Sequence, residues 1–213
     1  MSRPLRICVP LGALLRDSLE CLTAAGVDVS CLSDVGRKLV VTGDDGTLFI
    51  TTRPSDVPTY VEAGAADIGI VGKDVLRERQ PDVYELVDLG FGACRMIYAT
   101  VDGIDPTAAA ISHRGAVRVA TKYTAVAARY FLATGRPADI VKVNGSVELA
   151  PLVGLADGIV DLVATGRTLL ENGLVEREHI FGSSARLIAN RVSHKLHADA
   201  IDALVARSSV SAP

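Results

Sequence analysis

The chain has 213 residues, with 22 Lys and Arg against 25 Asp and Glu and a net charge of −3. So balanced a charge excludes the usual nucleic-acid or anionic-membrane binder, which needs a basic excess to offset phosphate. At 49% hydrophobic and 22% charged residues the chain can bury a core, so disorder is excluded as its overall state, and its length admits one large domain or two small ones. In chain order, the pattern predicts a strand over 5–9, a helix over 12–25 closed by Gly26, a strand over 47–51, a helix over 56–64 after Pro54, and strands over 67–71, 94–100 and 117–120. A helix over 124–134 ends at Gly135-Arg136-Pro137; strands over 140–143, 159–163 and 186–189 follow, then a helix over 192–206. Apolar runs of strand length alternating with segments of helical period predict an α/β fold with largely parallel sheets. Gly103, Pro106 and a small-residue run over 102–114 interrupt the pattern, which suggests a lobe boundary or a surface loop with a short helix.

No apolar run approaches the roughly 18 residues that span a bilayer, because Gly, Asp, Arg or Lys breaks each one. The first ten residues lack the long apolar centre and cleavage site of a secretory signal, so a cytoplasmic location is expected, with no membrane or nucleic-acid partner. Cys8, Cys21, Cys31 and Cys94 form no CxxC pair and read as reduced, buried thiols. The histidines His113, His179, His194 and His197 share no cluster with a carboxylate, and no Ser-His-Asp or Cys-His arrangement is legible.

Chemistry concentrates between Asn144 and Leu174. Ile159-Val160-Asp161-Leu162-Val163 reads as a buried strand, and Ala164-Thr165-Gly166-Arg167-Thr168 follows as a tight loop opening into a helix at Leu169. A glycine and two hydroxyls at such a turn aim N–H and O–H groups at one spot, a cradle for phosphate. An ordinary strand-to-helix turn with Thr165 as N-cap accounts for the same residues. Glu148 and Asp161 frame the loop, and ribose hydroxyls or Mg²⁺ are the natural partners for carboxylates beside a phosphate. Asp157 is read as a capping or ion-paired acid.

Glu148, Gly154, Ala156, Ile159, Asp161, Leu162, Thr165-Gly166, Thr168 and Leu169 together resemble the signature of the ATP phosphoribosyltransferase family. The resemblance extends to Arg53-Pro54-Ser55-Asp56-Val57-Pro58, Gly64-Ala65-Ala66-Asp67-Ile68-Gly69-Ile70, Gly72-Lys73-Asp74, Leu89-Gly90-Phe91-Gly92, Ala120-Thr121-Lys122-Tyr123 and Ser184-Ala185-Arg186-Leu187-Ile188. It implies a two-lobed, type II periplasmic-binding-protein-like α/β fold with a cleft between two mixed, mostly parallel sheets. One lobe would be 1–93 with 180–213 and the other 94–179. It also implies transfer of phosphoribosyl from phosphoribosyl pyrophosphate to N1 of ATP, the first step of histidine biosynthesis, with Mg²⁺. Ala164, Thr165, Gly166, Arg167 and Thr168 would hold the donor's 5-phosphate, with Glu148 and Asp161 on its ribose. Gly12, Arg16, Arg37, Arg53, Asp67, Lys73 and Tyr123 would serve ATP, and Arg37, Glu148 and Asp161 would be catalytic. Where many members carry Pro-Lys-Gly-Arg, this chain reads Pro10-Leu11-Gly12-Ala13. Its length resembles the short form, which implies a homodimeric core and a histidyl-tRNA-synthetase-like regulatory subunit. The alternative is a non-catalytic nucleotide- or anion-binding protein of the same fold; another phosphoribosyltransferase is a third reading, disfavoured by the motifs at 53–58 and 64–74.

Overall fold

The computed structural model describes residues 3–33 and 38–209, and every statement below concerns these. They fall into two compact units, one carrying the chain up to Ala93 and again from Ser184, the other comprising Cys94–Ser183. The first unit opens with β1 (Arg6–Pro10) and α1 (Leu15–Ala24), then β2 (Val40–Thr42), β3 (Leu48–Thr52), α2 (Val57–Glu62), β4 (Ile68–Gly72), α3 (Lys73–Arg79) and β5 (Tyr84–Asp88). The second contains β6 (Cys94–Val101), α4 (Thr107–Arg114), β7 (Val117–Thr121), α5 (Thr124–Ala133), β8 (Ala138–Lys142), α6 (Leu149–Leu152), β9 (Gly158–Val163), α7 (Arg167–Glu171) and β10 (Leu174–Ser183). The chain returns to the first unit through β11 (Ala185–Ala189), α8 (Arg191–Leu196) and α9 (Ala198–Ser209).

Each unit holds one mixed sheet, in the order β2-β3-β1-β4-β11-β5 and β10-β6-β9-β7-β8. Parallel pairing is confined to the β3-β1-β4 and β9-β7-β8 triplets; the remaining pairings are antiparallel. The sheets are therefore mixed as expected, but parallel pairing links only three strands of each, at the centre of the six-stranded sheet and at one end of the five-stranded one, because five further strands join them antiparallel. The central strands are covered on both faces. In β1, Ile7 and Val9 enter one apolar cluster while Cys8 enters another; in β9, Val160 enters one cluster and Ile159 and Val163 a second. A period of two with both faces buried produces the near-continuous apolar runs of these strands.

Each strand expected from the sequence is present, shifted by a residue or two at its ends. The segment 102–114 is no boundary: it lies within the second unit as a turn and α4, which ends on Gly115 in the left-handed region. The second unit reaches Ser183 because β10 pairs along β6 to that residue. The helix expected over 192–206 is two helices, parted at His197, whose backbone (φ −127°, ψ 31°) leaves the helical region. Asn190 starts the first of them, its side chain accepting from the N–H groups of Val192 and Ser193 at 2.9 and 3.0 Å. The four cysteines are free; Cys8 alone is fully buried, and burial pushes its thiol up to about 12. None of the helices is long and apolar enough to cross a membrane.

Candidate functional site

A hollow of about 450 Å³, open to solvent, is lined by Glu148, Asp161 and the residues 162–169. Its construction follows from strand alternation. Ile159 and Val163 point to the face of β9 where Val147, Ala150 and Leu169 pack, so Asp161, midway between them, is directed to the same side. Val147 and Ala150 are anchored in that cluster, and Glu148 lies between them at the start of α6, with no capping hydrogen bond from its side chain. Both acids are half-buried. Two carboxylates and a hydroxyl-bearing loop thus meet in one place, as the sequence suggested.

The loop leaves the end of β9 exposed at Ala164 and Thr165, and Gly166 takes φ +82° before α7 begins. That left-handed backbone favours glycine and turns the chain sharply into the helix. Thr165 accepts at its Oγ1 from the Arg167 N–H at 3.4 Å, and the Thr168 carbonyl accepts from the Asn172 side chain at 2.8 Å. Thr165 caps only loosely, and both threonines are exposed. Arg167 does not face the loop's interior: its Nε donates to Glu171 at 2.7 Å, one turn along an exposed helix face, so its charge is shared with that acid.

Arg95, at the start of β6, is the cation that sequence reasoning missed. Its Nε and Nη2 donate to Glu176 at 3.0 and 2.8 Å, and Nη1 donates to the Ala164 carbonyl at 3.2 Å. The only signal was an arginine following Cys94 at the head of an otherwise apolar strand. Asp157 has the structural role assigned to it, accepting from Arg114 and from the Arg118 N–H at 2.5 and 2.8 Å.

In the first unit, β1, β3 and β4 run parallel, and their last residues Pro10, Thr52 and Gly72 bring the segments after them to one sheet edge. Gly12, Arg53 and Lys73 belong to that edge. Gly12 has φ +82° with open space where a Cβ would stand, and Leu11 before it is tied to the Thr52 carbonyl at 2.8 Å. Arg53 is exposed and makes no side-chain hydrogen bond or ion pair among the described residues. Lys73 pairs with Glu85 at 2.5 Å, and Arg16, on the exposed face of α1, pairs with Asp17 at 3.1 Å.

Two residues expected at the nucleotide have other work. Asp67 precedes β4, at the opposite edge from Arg53 and Lys73, and is fully buried. Its carboxylate accepts from the Arg3 guanidinium at 2.6 and 2.8 Å, from the Arg6 amide and guanidinium at 2.8 and 2.9 Å, and from the Ser193 hydroxyl at 2.6 Å. Burial pushes this carboxyl up, but the hydrogen bonds from Arg3, Arg6 and Ser193 outweigh it and hold the group well below the usual carboxylate range. Tyr123 opens the turn between β7 and α5, and that turn directs its ring into the core with Val119 and Val126, under the Lys122 ammonium 4.9 Å away. Its ring face is not offered to a purine. Arg37 lies outside the described residues.

No group of three or more His, Cys, Asp or Glu is placed to hold a metal among the described residues. His194 pairs with Asp202 at 3.3 Å and stacks edge-on against Tyr84, while His197 is buried.

Comparison with known proteins bears on what such a site serves. A family model described as HisG, ATP phosphoribosyltransferase, matches residues 53–209. The ATP phosphoribosyltransferase of Rubrobacter xylanophilus is 53% identical over 96% of this chain and 94% of its own. Among solved structures, the ATP phosphoribosyl transferase (HisG:HisZ) complex from Thermotoga maritima matches with a TM-score of 0.83 and 32% identity over 98% of both chains. The periplasmic aliphatic sulphonate binding protein SsuA from Escherichia coli matches with a TM-score of 0.62 over 100% of this chain and 73% of its own. At 11% identity that likeness is one of fold, and it is the periplasmic-binding-protein-like fold expected from the sequence.

Proposed function

The chain belongs to the ATP phosphoribosyltransferase family, and from that premise we propose how its residues divide the reaction between them. As a catalytic chain of that family it transfers phosphoribosyl from phosphoribosyl pyrophosphate to N1 of ATP, giving phosphoribosyl-ATP and pyrophosphate in the first step of histidine biosynthesis. The adenine N1 lone pair forms the bond to C1′ while the bond from C1′ to the pyrophosphate oxygen breaks, its electron pair leaving with pyrophosphate. Positive charge grows on the ribose ring and negative charge on the leaving group, so positioning and electrostatics do the catalysis and no side-chain nucleophile is required.

The observation that carries the assignment is the convergence of Glu148, Asp161 and the loop 164–168 on one hollow. The Thr165 and Thr168 hydroxyls and the loop N–H groups receive the 5-phosphate, and the two carboxylates accept from the ribose hydroxyls, which holds the ring while C1′ gains charge. Arg167, shared with Glu171, serves as a reserve of charge at the rim. ATP is met at the edge that carries Gly12 and Arg53, with Arg37 as a further cation; Lys73 and Arg16 reach it only by exchanging Glu85 and Asp17 for phosphate.

A site with two carboxylates and no protein cage fits Mg²⁺ carried chiefly by the donor's own oxygens, with Glu148 or Asp161 as its protein ligand. When bound, the ion neutralises charge on the departing pyrophosphate. A HisZ-like regulatory subunit is the proposed partner, supported by the Thermotoga complex; a homodimeric core and a cytoplasmic location are proposed with it.

Incubating the purified chain with ATP, phosphoribosyl pyrophosphate and Mg²⁺, alone and with a HisZ-type subunit, tests the reading. Phosphoribosyl-ATP and pyrophosphate should appear in equal amounts. Donor binding without product in either mixture would instead identify a binding protein.

A further inference from the structure

Resting on the assignment of the loop 164–168 to the donor's 5-phosphate, we propose that Arg95 is a positioning residue that sets the direction of that loop's Thr165 N–H, and that Glu176 is its brace.

Arg95 and Val163 are register partners across β6 and β9, so the Arg95 side chain arises beside the last residue of the β9 ladder. The next carbonyl, that of Ala164, lies beyond the ladder and accepts from Arg95 Nη1 at 3.2 Å. A trans peptide is planar, with its C=O and the following N–H pointing in opposite directions. Fixing the Ala164 carbonyl toward Arg95 therefore fixes the Thr165 N–H away from it. The rest of the loop is held from its other end, where Gly166 and Thr168 carbonyls accept at 3.2 Å each from the N–H groups of Leu170 in α7 and of Asn172 just after it. Arg95 thus controls the part of the loop that α7 does not.

An arginine can hold a carbonyl steadily only if its own plane is fixed. Glu176 on β10 does this by accepting from both Nε and Nη2, leaving Nη1 for Ala164. The guanidinium is packed close, with Nη2 3.7 Å from where a Cβ on Gly166 would stand. Because Glu176 compensates the guanidinium charge, the pair acts by direction and not as a bare cation for phosphate.

This makes a prediction with a distinctive sign. Replacing Glu176 by Gln removes a negative charge near an anion site, so simple electrostatics calls for tighter donor binding. Loss of the brace calls for weaker binding. The test is calorimetric titration of the full chain with phosphoribosyl pyrophosphate, for wild type, Glu176→Gln, Arg95→Lys, Arg95→Met and Thr168→Val, with melting temperatures as a check on folding. Arg95→Met should weaken donor binding about tenfold, the effect of losing a hydrogen bond from a charged group. Arg95→Lys should recover part of the loss, and Glu176→Gln should weaken binding a few-fold, with the KM for ATP unchanged throughout. If Arg95→Met does not fold, Glu176→Gln carries the test alone. Unchanged or tighter binding by Glu176→Gln, while Thr168→Val weakens it, overturns the role of Arg95 and leaves the loop assignment standing. Unchanged binding by Thr168→Val removes the loop assignment itself, and this proposal with it.

Discussion

Asp67 precedes β4 and is enclosed by Arg3, Arg6 and Ser193, whereas Asp161 lies near the far end of β9 and lines an open hollow with Glu148. Both are aspartates in strand motifs of small and branched apolar residues, and each strand lies inside a sheet between one parallel and one antiparallel neighbour. What separates them is the strand end they occupy. At the carboxyl end of a parallel strand the chain turns away and leaves room for a ligand; at the amino end, here, the arriving chain segments supply arginines that saturate the acid. An aspartate's strand end therefore says more about its use than the residues beside it.

The largest expected effect lies with the enclosed acid. Asp67→Ala leaves two guanidinium groups and a buried hydroxyl without their acceptor and should cost about 3 kcal/mol of stability, read from urea unfolding. Donor affinity of the folded fraction should be unchanged, and a drop there would erase the contrast. Asp161→Asn should do the reverse: about tenfold weaker binding of phosphoribosyl pyrophosphate, with a melting temperature near that of wild type. A smaller effect concerns pH. Because folding holds the Asp67 carboxyl below its ordinary value near 3.8, its contribution is whole above that value and drains away as pH falls beneath it. The difference in urea midpoint between wild type and Asp67→Asn should be flat from neutral pH to about 5 and shrink below about 4. Smallest of all, Leu11→Lys should leave turnover unimpaired or modestly raised in steady-state assays. A sharp fall would mean that the turn before Gly12 is built around an apolar side chain.

The strands that carry both faces of burial were legible because their apolar runs are continuous, as in Ile159 to Val163. Three of the four edge strands were not, β8 being the exception. β2 has three residues and little burial, β5 alternates weakly, and β10 sets Glu-Arg-Glu-His between its apolar pairs and departs from regular pairing at two places. Their stability comes from a neighbour and leaves no run in the sequence. The hollow that Glu148 and Asp161 share was readable because one contiguous stretch, Glu148 to Leu169, builds it. Asp67 and Tyr123 were misread because motif membership does not disclose strand end or side-chain direction. Arg95 was missed because its partners, Ala164 and Glu176, are far from it in sequence.

The second unit is an uninterrupted stretch inserted between two halves of the first, and that arrangement dictates an order of events at the ribosome. Once Ser183 has emerged, every strand of the five-stranded sheet is available and that unit can close. The six-stranded sheet cannot: β4 and β5 are separated by β11, which is made later, and Leu22 and Ala25 await Ile201 and Leu204 to complete their cluster. The amino-terminal half therefore spends the synthesis of the whole insertion with open strand edges and an uncovered apolar helix face, the stage at which a nascent chain is most exposed to misassociation.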